Sequence, residues 1–242
     1  MIPRRPPMTS PPVQTLNTAD LVVLTIRDDR LKVLLVVRGK DPYRGRLAFP
    51  GGFLRLGEDL DATAHRELAE ETGLDGRKLP LQQLHTYSGM GRDPRGQVVT
   101  TAYLAIAPNL PTPVGASDAV SADWYEVDDS LPRYLAFDHW TILSDAIEKV
   151  RADLERTPLA TAFCSDTFTI SELRRVYELV WNTTIDAGNF RRKVVEVING
   201  FVESTGQKRQ NPDGGRPAEL YRQGTAKVLH PPYPRPMKTG PA

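Results

Sequence analysis

Residues 52–74 read Gly52-Phe53-Leu54-Arg55-Leu56-Gly57-Glu58, then Asp59 to His65, then Arg66-Glu67-Leu68-Ala69-Glu70-Glu71-Thr72-Gly73-Leu74. Asp61 to Thr72 has helical composition. Asp59 or Asp61 is placed to cap it, and Gly73 stops it. On that helix Glu67 lies three residues before Glu70 and four before Glu71, so the three carboxylates share one face. Unpaired like charges at this spacing destabilise a helix by about a few tenths of a kcal/mol per pair. A hard cation such as Mg²⁺ (or Mn²⁺) removes the repulsion and binds oxygen ligands together with substrate phosphates. Arg66 can pair with Glu58 across the preceding loop. Gly51 and Gly52 let a backbone carbonyl come close to a metal.

The full spacing resembles the Nudix box, G-x5-E-x7-R-E-U-x-E-E-x-G-U with U aliphatic, at every fixed position. The resemblance implies an α/β/α sandwich that cleaves nucleoside diphosphates linked to another group. It implies metal on Glu67, Glu70 and Glu71, with the Gly51 carbonyl as a further ligand. It also implies catalytic roles for Glu58, Arg66 and Glu70, with Arg66 orienting the carboxylates. The family often uses an additional acidic base outside the box. Asp93, Asp118, Asp123 and Glu126 are all candidates.

Three further stretches resemble the ADP-ribose branch of the same family: Ala48-Phe49-Pro50-Gly51-Gly52-Phe53, Gly91-Arg92-Asp93-Pro94-Arg95-Gly96 and Leu135-Ala136-Phe137-Asp138-His139. Arg92 and Arg95 are candidate phosphate or ribose contacts, because a guanidinium grips phosphate through two hydrogen bonds. Arg38, Arg46, Phe49 and Gly52 join them as expected ligand contacts. His139 either stacks on a nucleotide or caps the helix that it precedes.

Working outward, Leu21–Arg27 and Lys32–Arg38 flank Asp28-Asp29-Arg30 and read as a β-hairpin. A short strand is expected near Leu47–Phe49, and longer ones at Leu81–Tyr87, Val98–Ala107 and Ala122–Val127. From Asp138 the pattern turns helical, with Trp140, Leu143, Ala146, Ile147, Val150 and Leu154 on one stripe until Pro158. Thr169 or Ser171 then opens a helix to about Trp181, with Glu172 in register for a capping box on Thr169. Ile185-Asp186 begins another, with Phe190, Val194, Val197 and Ile198 on its apolar side. Leu220 and Tyr221 mark a returning strand.

Composition narrows the classes. The chain has 242 residues with a net charge of +1, one cysteine and 21 prolines. Ten of those prolines fall in the first and last twelve residues, so both ends are expected to be loose. A single cysteine, Cys164, excludes a disulfide scaffold and fits a reducing compartment. It is expected to be a buried, inert thiol. No secretory signal or membrane-length apolar run is present, so a cytoplasmic protein with no membrane partner is expected. Charge is uneven: residues 1–156 carry 19 basic and 22 acidic side chains, while residues 157–242 carry 12 and 8. Such asymmetry suggests two domains with different partners.

The basic half carries Asn189, Arg191, Arg192 and Lys193 on its second helix, and Lys208, Arg209, Arg216 and Arg222 on a ribbon that turns at Gly214-Gly215-Arg216-Pro217. A helix in the major groove with a ribbon beside it uses such residues to read bases and hold phosphates. The ordered set Phe168 to Trp181, Asn189 to Lys193 and Gly215 to Arg222 resembles the winged helix of the NrtR family. That family joins a Nudix-like domain to a winged helix and represses genes of NAD metabolism. The resemblance implies DNA contacts at Thr184, Asn189, Arg191, Arg192, Lys193 and Arg216.

The expected fold is therefore α+β. It comprises a Pro-rich tail at 1–18, a Nudix domain at 19–136, a connecting helix at 137–158, a winged helix at 159–225 and a second tail at 226–242. The expected function is an NrtR-like repressor. As a homodimer it would bind a pseudo-palindromic double-stranded operator and release it on binding ADP-ribose or a related nucleotide. The box is complete, so Mg-dependent pyrophosphohydrolysis of ADP-ribose-like substrates is expected as well. The alternative is an ADP-ribose pyrophosphatase, giving AMP and ribose 5-phosphate, whose winged helix only mediates contacts. Nicotinamide mononucleotide, NAD, a sugar derivative or a sugar phosphate remains open as the ligand.

Overall fold

The computed structural model describes residues 13–75, 79–108, 110–113, 119–210, 214 and 216–236. The expected N-terminal tail lies largely outside them. The hairpin forms from β1 (Leu16–Arg27) and β2 (Arg30–Arg38). Its two turn residues, Asp28 and Asp29, take φ values of +52° and +57°. Two left-handed residues match the twist of a two-residue hairpin, and aspartate tolerates that region better than most side chains. Lys32 Nζ donates to Asp28 at 2.7 Å across the turn. Because β1 already begins at Leu16, the sheet starts a few residues before the expected boundary at 19.

Beyond the hairpin the two strands part. β1 pairs β2 only from Leu24 to Arg27. Nearer its start, β1 instead pairs β4 (Gly51–Phe53), while the far end of β2 pairs β3 (Leu47–Ala48). The outer edges are completed by β5 (Gln82–Tyr87), β6 (Val98–Ile106) and β7 (Ala119–Glu126), with β6 parallel to β1. The result is a seven-stranded mixed sheet with a fork at its centre.

Alternation along β1 supplies both faces of this sheet. Ala19, Leu21 and Val23 pack with Ala64 and Leu68 of α1 (Leu60–Thr72). Val22 and Leu24 face the other way, toward Ile142, Leu143 and Ile147 of α2 (His139–Arg156). Asp59 caps α1 by accepting from the Ala62 N–H, and Gly73 ends it at φ +72°.

The second unit opens with a 3-10 turn at Pro158–Phe163. α3 (Ile170–Trp181) follows, with the complete Thr169–Glu172 capping box, and Asn182 ends it in a left-handed conformation. α4 (Ala187–Arg192) is capped by Asp186 and runs into a π-helical turn at Lys193–Val197. The extra residue in that turn leaves Val194 and Ile198 buried and turns Val197 outward, against the expected stripe. The ribbon is β8 (Val202–Arg209) paired with β9 (Ala218–Gln223). Trp140 also leaves its expected place and is 37% exposed. No helix of the described residues is long and apolar enough to cross a membrane.

The apolar cluster beneath α2 continues without a break through Leu173, Tyr177, Trp181 and Phe190 of the second unit. Bidentate ion pairing of Arg175 with Asp29, at 2.6 Å twice, adds a surface tie between α3 and the hairpin turn.

The expected loose tail from 226 fails for residues 226–236. The Leu229 N–H donates to the Arg156 carbonyl at 2.7 Å and the Tyr233 N–H to the Glu155 carbonyl at 2.8 Å. The Tyr233 ring is buried among Tyr177, Trp181 and Phe190, with centroids 5.3, 5.9 and 5.4 Å away. Replacing Tyr233 with alanine is therefore expected to lower unfolding stability by about 3 kcal/mol, the cost of emptying a buried aromatic site. Urea unfolding read by fluorescence checks this, and a change below about 0.5 kcal/mol would show the segment to be undocked.

Candidate functional site

The fork between β1 and β2 is a cavity of about 470 Å³. Thr18 and Asp20 of β1, Val36 and Arg38 of β2, and the segment from Ala48 to Phe53 form its base. Glu67, Glu70 and Glu71 enter from α1, while Arg92, Asp93 and Arg95 enter from the loop before β6. Phe137 and His139 close the side next to α2.

The glycine pair is demanded by sterics. A Cβ on Gly52 would lie 2.2 Å from the Glu67 carboxylate, and one on Gly51 would lie 2.5 Å from both the Ala19 carbonyl and the Asp20 carboxylate. The expected ligand contact at Gly52 is thus first a seat for Glu67. The Gly51 N–H donates to Glu71 at 3.0 Å.

Arg66 organises the box. Its Nε donates to Glu58 at 2.7 Å and its Nη2 to the Phe53 carbonyl at 3.1 Å, while Nη1 meets Glu67 and Glu70. This pairing holds the Glu58 carboxyl down at about 2 and raises the Arg66 guanidinium above its ordinary value. Arg55 grips Glu70 through two hydrogen bonds of 3.2 and 3.0 Å. Glu71 differs from its neighbours. Burial, reinforced by the charges of Glu67 and Asp20, pushes its carboxyl up to about 8.

Among the described residues no three acidic or histidine side chains converge as metal ligands. The donor set nonetheless suits a hard cation. It is all oxygen, and the repulsion that raises Glu71 is the kind a divalent ion relieves. Glu67 and Glu70 would have to turn from their arginines to bind one.

The remaining expected residues divide. Arg38 lines the cavity, with its Nε on the Pro42 carbonyl at 2.8 Å. Arg46 does not. It binds the Arg133 carbonyl outside the cavity. Arg92 is buried rather than free for ligand, because Asp138 accepts from it at 2.9 and 2.8 Å. Arg95 is fastened to Asp93 and lies 4.6 Å from the Phe53 ring centroid.

Of the candidate bases among the described residues, Asp93 alone lines the cavity, and its pairing with Arg95 lowers its pKa. Glu126 pairs with Arg30 at the hairpin, and Asp123 accepts its neighbour's Trp124 N–H on β7. Asp118 lies outside the described residues.

Asp20 is the residue that sequence reading missed. It is buried at the cavity base, accepts from the Thr100 hydroxyl at 2.7 Å and has its pKa raised by burial. Its only sequence signal is a carboxylate directly before the apolar run Leu21 to Leu24.

Phe137 carries φ +52°, a left-handed conformation that costs a bulky residue about 1–3 kcal/mol. Cys164 is half-buried, and burial pushes its thiol up to about 12, so it is inert at neutral pH.

On the second unit Thr184, Asn189, Arg191, Arg192 and Arg216 are exposed, while Lys193 is half-buried. Arg191 and Lys193 also make contacts within the unit, although the Arg191 side chain stays about half exposed. Arg191 donates to the Tyr221 hydroxyl at 3.1 Å, and Lys193 Nζ lies 5.0 Å from the Tyr233 ring centroid.

His139 lines the cavity but does not cap α2, of which it is the first residue. It packs flat on Phe49 at 4.7 Å, and its Nδ1 accepts the Phe49 N–H at 3.0 Å. Burial pushes it down to about 3, so the ring is neutral with its proton on Nε2. In the unfolded chain a histidine titrates near about 6.5. Its contribution to stability is thus complete above that pH and is lost as pH falls toward about 3. Asp20 and Glu71, whose pKa values are raised, have the opposite slope. The difference in unfolding stability between the wild type and His139→Gln isolates the histidine. It is expected to shrink as pH falls from about 6.5 to 4.5, by up to about 1.4 kcal/mol per pH unit. A difference independent of pH would mean that His139 is protonated in the folded chain.

A model of the NUDIX domain matches residues 16–146, and one of the NrtR DNA-binding winged helix domain matches residues 161–223. The chain is similar to the ADPR responsive transcriptional repressor NtrR of Acinetobacter baylyi, with 33% identity over 86% of this chain and 81% of that protein. It is also 38% identical to an ADP-ribose pyrophosphatase of Methanocaldococcus jannaschii, over 47% of this chain and 64% of that one. Among solved structures it resembles NrtR of Shewanella oneidensis, with a TM-score of 0.71 and 32% identity over 88% of this chain and all of that one. That protein has also been solved with a 27mer DNA, and its NUDIX domain with ADP ribose.

Proposed function

We propose, from the premise that this chain belongs to the NrtR family of NUDIX domains joined to a winged helix, that it is a transcriptional repressor responsive to ADP-ribose or a related nucleotide. The observation that carries the reading is the pair of domains in one chain, with the likeness to a repressor of that response spanning 86% of the residues. The cavity supports it chemically. Arg38, Arg55, Arg92 and Arg95 surround a space of nucleotide size, and an anionic diphosphate would compete with the carboxylates that hold Arg55, Arg92 and Arg95 and with the backbone carbonyl that holds Arg38.

DNA contact is assigned to Thr184, Asn189, Arg192 and Arg216. An arginine reading a guanine edge contributes about 1–3 kcal/mol of discrimination. Arg192→Ala is therefore expected to weaken operator binding about tenfold or more, while Arg191→Ala acts through the ribbon that it braces. Fluorescence anisotropy at fixed salt measures both. Equal affinity for wild type and Arg192→Ala would remove α4 from the DNA interface. A two-fold homodimer is part of the reading and calls for a pseudo-palindromic site.

The NUDIX fold supports hydrolase chemistry in general, and the intact box favours a second activity, cleavage of ADP-ribose to AMP and ribose 5-phosphate. Glu67, Glu70 and Glu71, with the Gly51 carbonyl, would hold Mg²⁺ or Mn²⁺. Such an ion, when bound, polarises diphosphate oxygens and lowers the pKa of an attacking water. Arg66, fixed by Glu58, holds the carboxylates at the metal side of the cavity. A repressor with this activity would slowly destroy its own inducer.

One titration separates the readings. ADP-ribose and Mg²⁺ are added to the chain on labelled DNA from its own upstream region while AMP is followed. Release of DNA with slow AMP formation is expected. Glu70→Gln/Glu71→Gln is expected to abolish AMP formation and prolong the released state. Rapid AMP formation without specific DNA binding would instead make the chain a pyrophosphatase whose winged helix only mediates contacts.

A further inference from the structure

Phe137 and His139, on either side of Asp138 at the entry to α2, are built into the cavity wall. The Phe137 ring lies 4.7 Å from the Arg38 guanidinium and 5.4 Å from that of Arg95. Asp138 stands at the N-cap position of α2, yet its carboxylate caps no backbone amide and is taken by Arg92. His139 holds the Phe49 N–H. The other end of α2 is bonded to the winged helix. Arg151 Nε donates to the Val180 carbonyl at 2.8 Å, Trp181 Nε1 to the Arg151 carbonyl at 3.1 Å, and the Tyr177 hydroxyl to the Leu154 carbonyl at 3.1 Å. A shift of α2 therefore carries α3 with it.

We infer that Phe137 is the positioning residue through which a nucleotide in the cavity displaces the winged helix, an inference that rests on the proposed response to ADP-ribose. Its left-handed backbone, φ +52°, persists only where the surroundings hold it. Those surroundings include the two cations on its ring. A diphosphate is a stronger partner for a guanidinium than an aromatic face is, since it offers charge-assisted hydrogen bonds in place of a quadrupole. Binding draws Arg38 and Arg95 from the ring. Phe137 then relaxes, and the turn that it makes lies directly before the first residue of α2. The ligand does this only to the extent that it prefers the relaxed arrangement.

The test is a linkage cycle. The chain first selects an operator duplex from a random pool. Its ADP-ribose affinity is then measured free and bound to that duplex, in EDTA so that no turnover occurs. The ratio of the two affinities is the coupling, and operator affinity with and without ADP-ribose must return the same ratio. A substitution that weakens nucleotide binding equally in the free and DNA-bound chain cancels from this ratio, so a merely structural role at the cavity leaves it unmoved.

In the wild type, ADP-ribose is expected to bind the free chain at least tenfold more tightly. Phe137→Gly removes the ring and makes the left-handed backbone costless. It is expected to bring the ratio within threefold of one. Phe137→Tyr keeps ring and strain and is expected to retain the wild-type ratio. Should the glycine variant fail to unfold cooperatively, Phe137→Leu, which keeps an apolar side chain but loses the cation contacts and the ring contacts with Tyr43 and His139, is expected to lower the ratio at least threefold. A wild-type ratio near one, or no selected duplex, would overturn the nucleotide-responsive repressor and this inference with it. A tenfold wild-type ratio that survives in Phe137→Gly and Phe137→Leu would overturn the inference alone.

Discussion

The separation of β1 from β2 beyond their hairpin is the constraint on which the site depends. Two strands this apolar would ordinarily pair along their whole length. Here pairing stops after four residues, and the inner edges are completed by the short strands β3 and β4. β4 fits because Gly51 and Gly52 present no Cβ to Ala19, Asp20 and Glu67. The fork exposes the polar start of β1, including Asp20, at the base of a cavity. It also lets α1 lay its carboxylates across the opening.

Charge in this cavity is balanced pair by pair. Arg66 answers Glu58, Glu67 and Glu70, Arg92 answers Asp138, and Arg95 answers Asp93. Glu71 and Asp20 are less compensated, and burial raises the pKa of both. Such an arrangement is responsive to ions of either sign. A cation relieves the acidic side, and an anion offers the arginines a partner with more acceptor oxygens than a single carboxylate. Because every arginine is committed to some protein group, binding must rearrange contacts that also position the fold.

α2 converts that local chemistry into a property of the whole chain. Its apolar stripe closes the sheet on one side and continues the same buried cluster into α3 and α4. The C-terminal segment bonds to the last turn of α2 and places Tyr233 against α3 and α4. The winged helix is thus held through a packed helix and a docked strap, far stiffer than a polar linker. Lys193, expected from the family resemblance as a DNA contact, lies over the ring of that strap.

The sequence by itself determined the elements whose causes are local. The hairpin, the Asp59 and Gly73 ends of α1, the Thr169–Glu172 capping box and the order of the two domains were legible because strand alternation, capping and motif spacing act over a few residues. The shared face of Glu67, Glu70 and Glu71 follows from helical spacing alone. Tertiary structure decided which charged groups are available. Arg46 lies outside the cavity, Arg92 is buried on Asp138, and Arg191 braces the ribbon, while the unremarked Asp20 sits at the cavity base. Each outcome depends on a partner far away in the chain. A side chain's type and spacing set the chemistry it can perform, but the free energy of burial and pairing is settled only when distant segments meet.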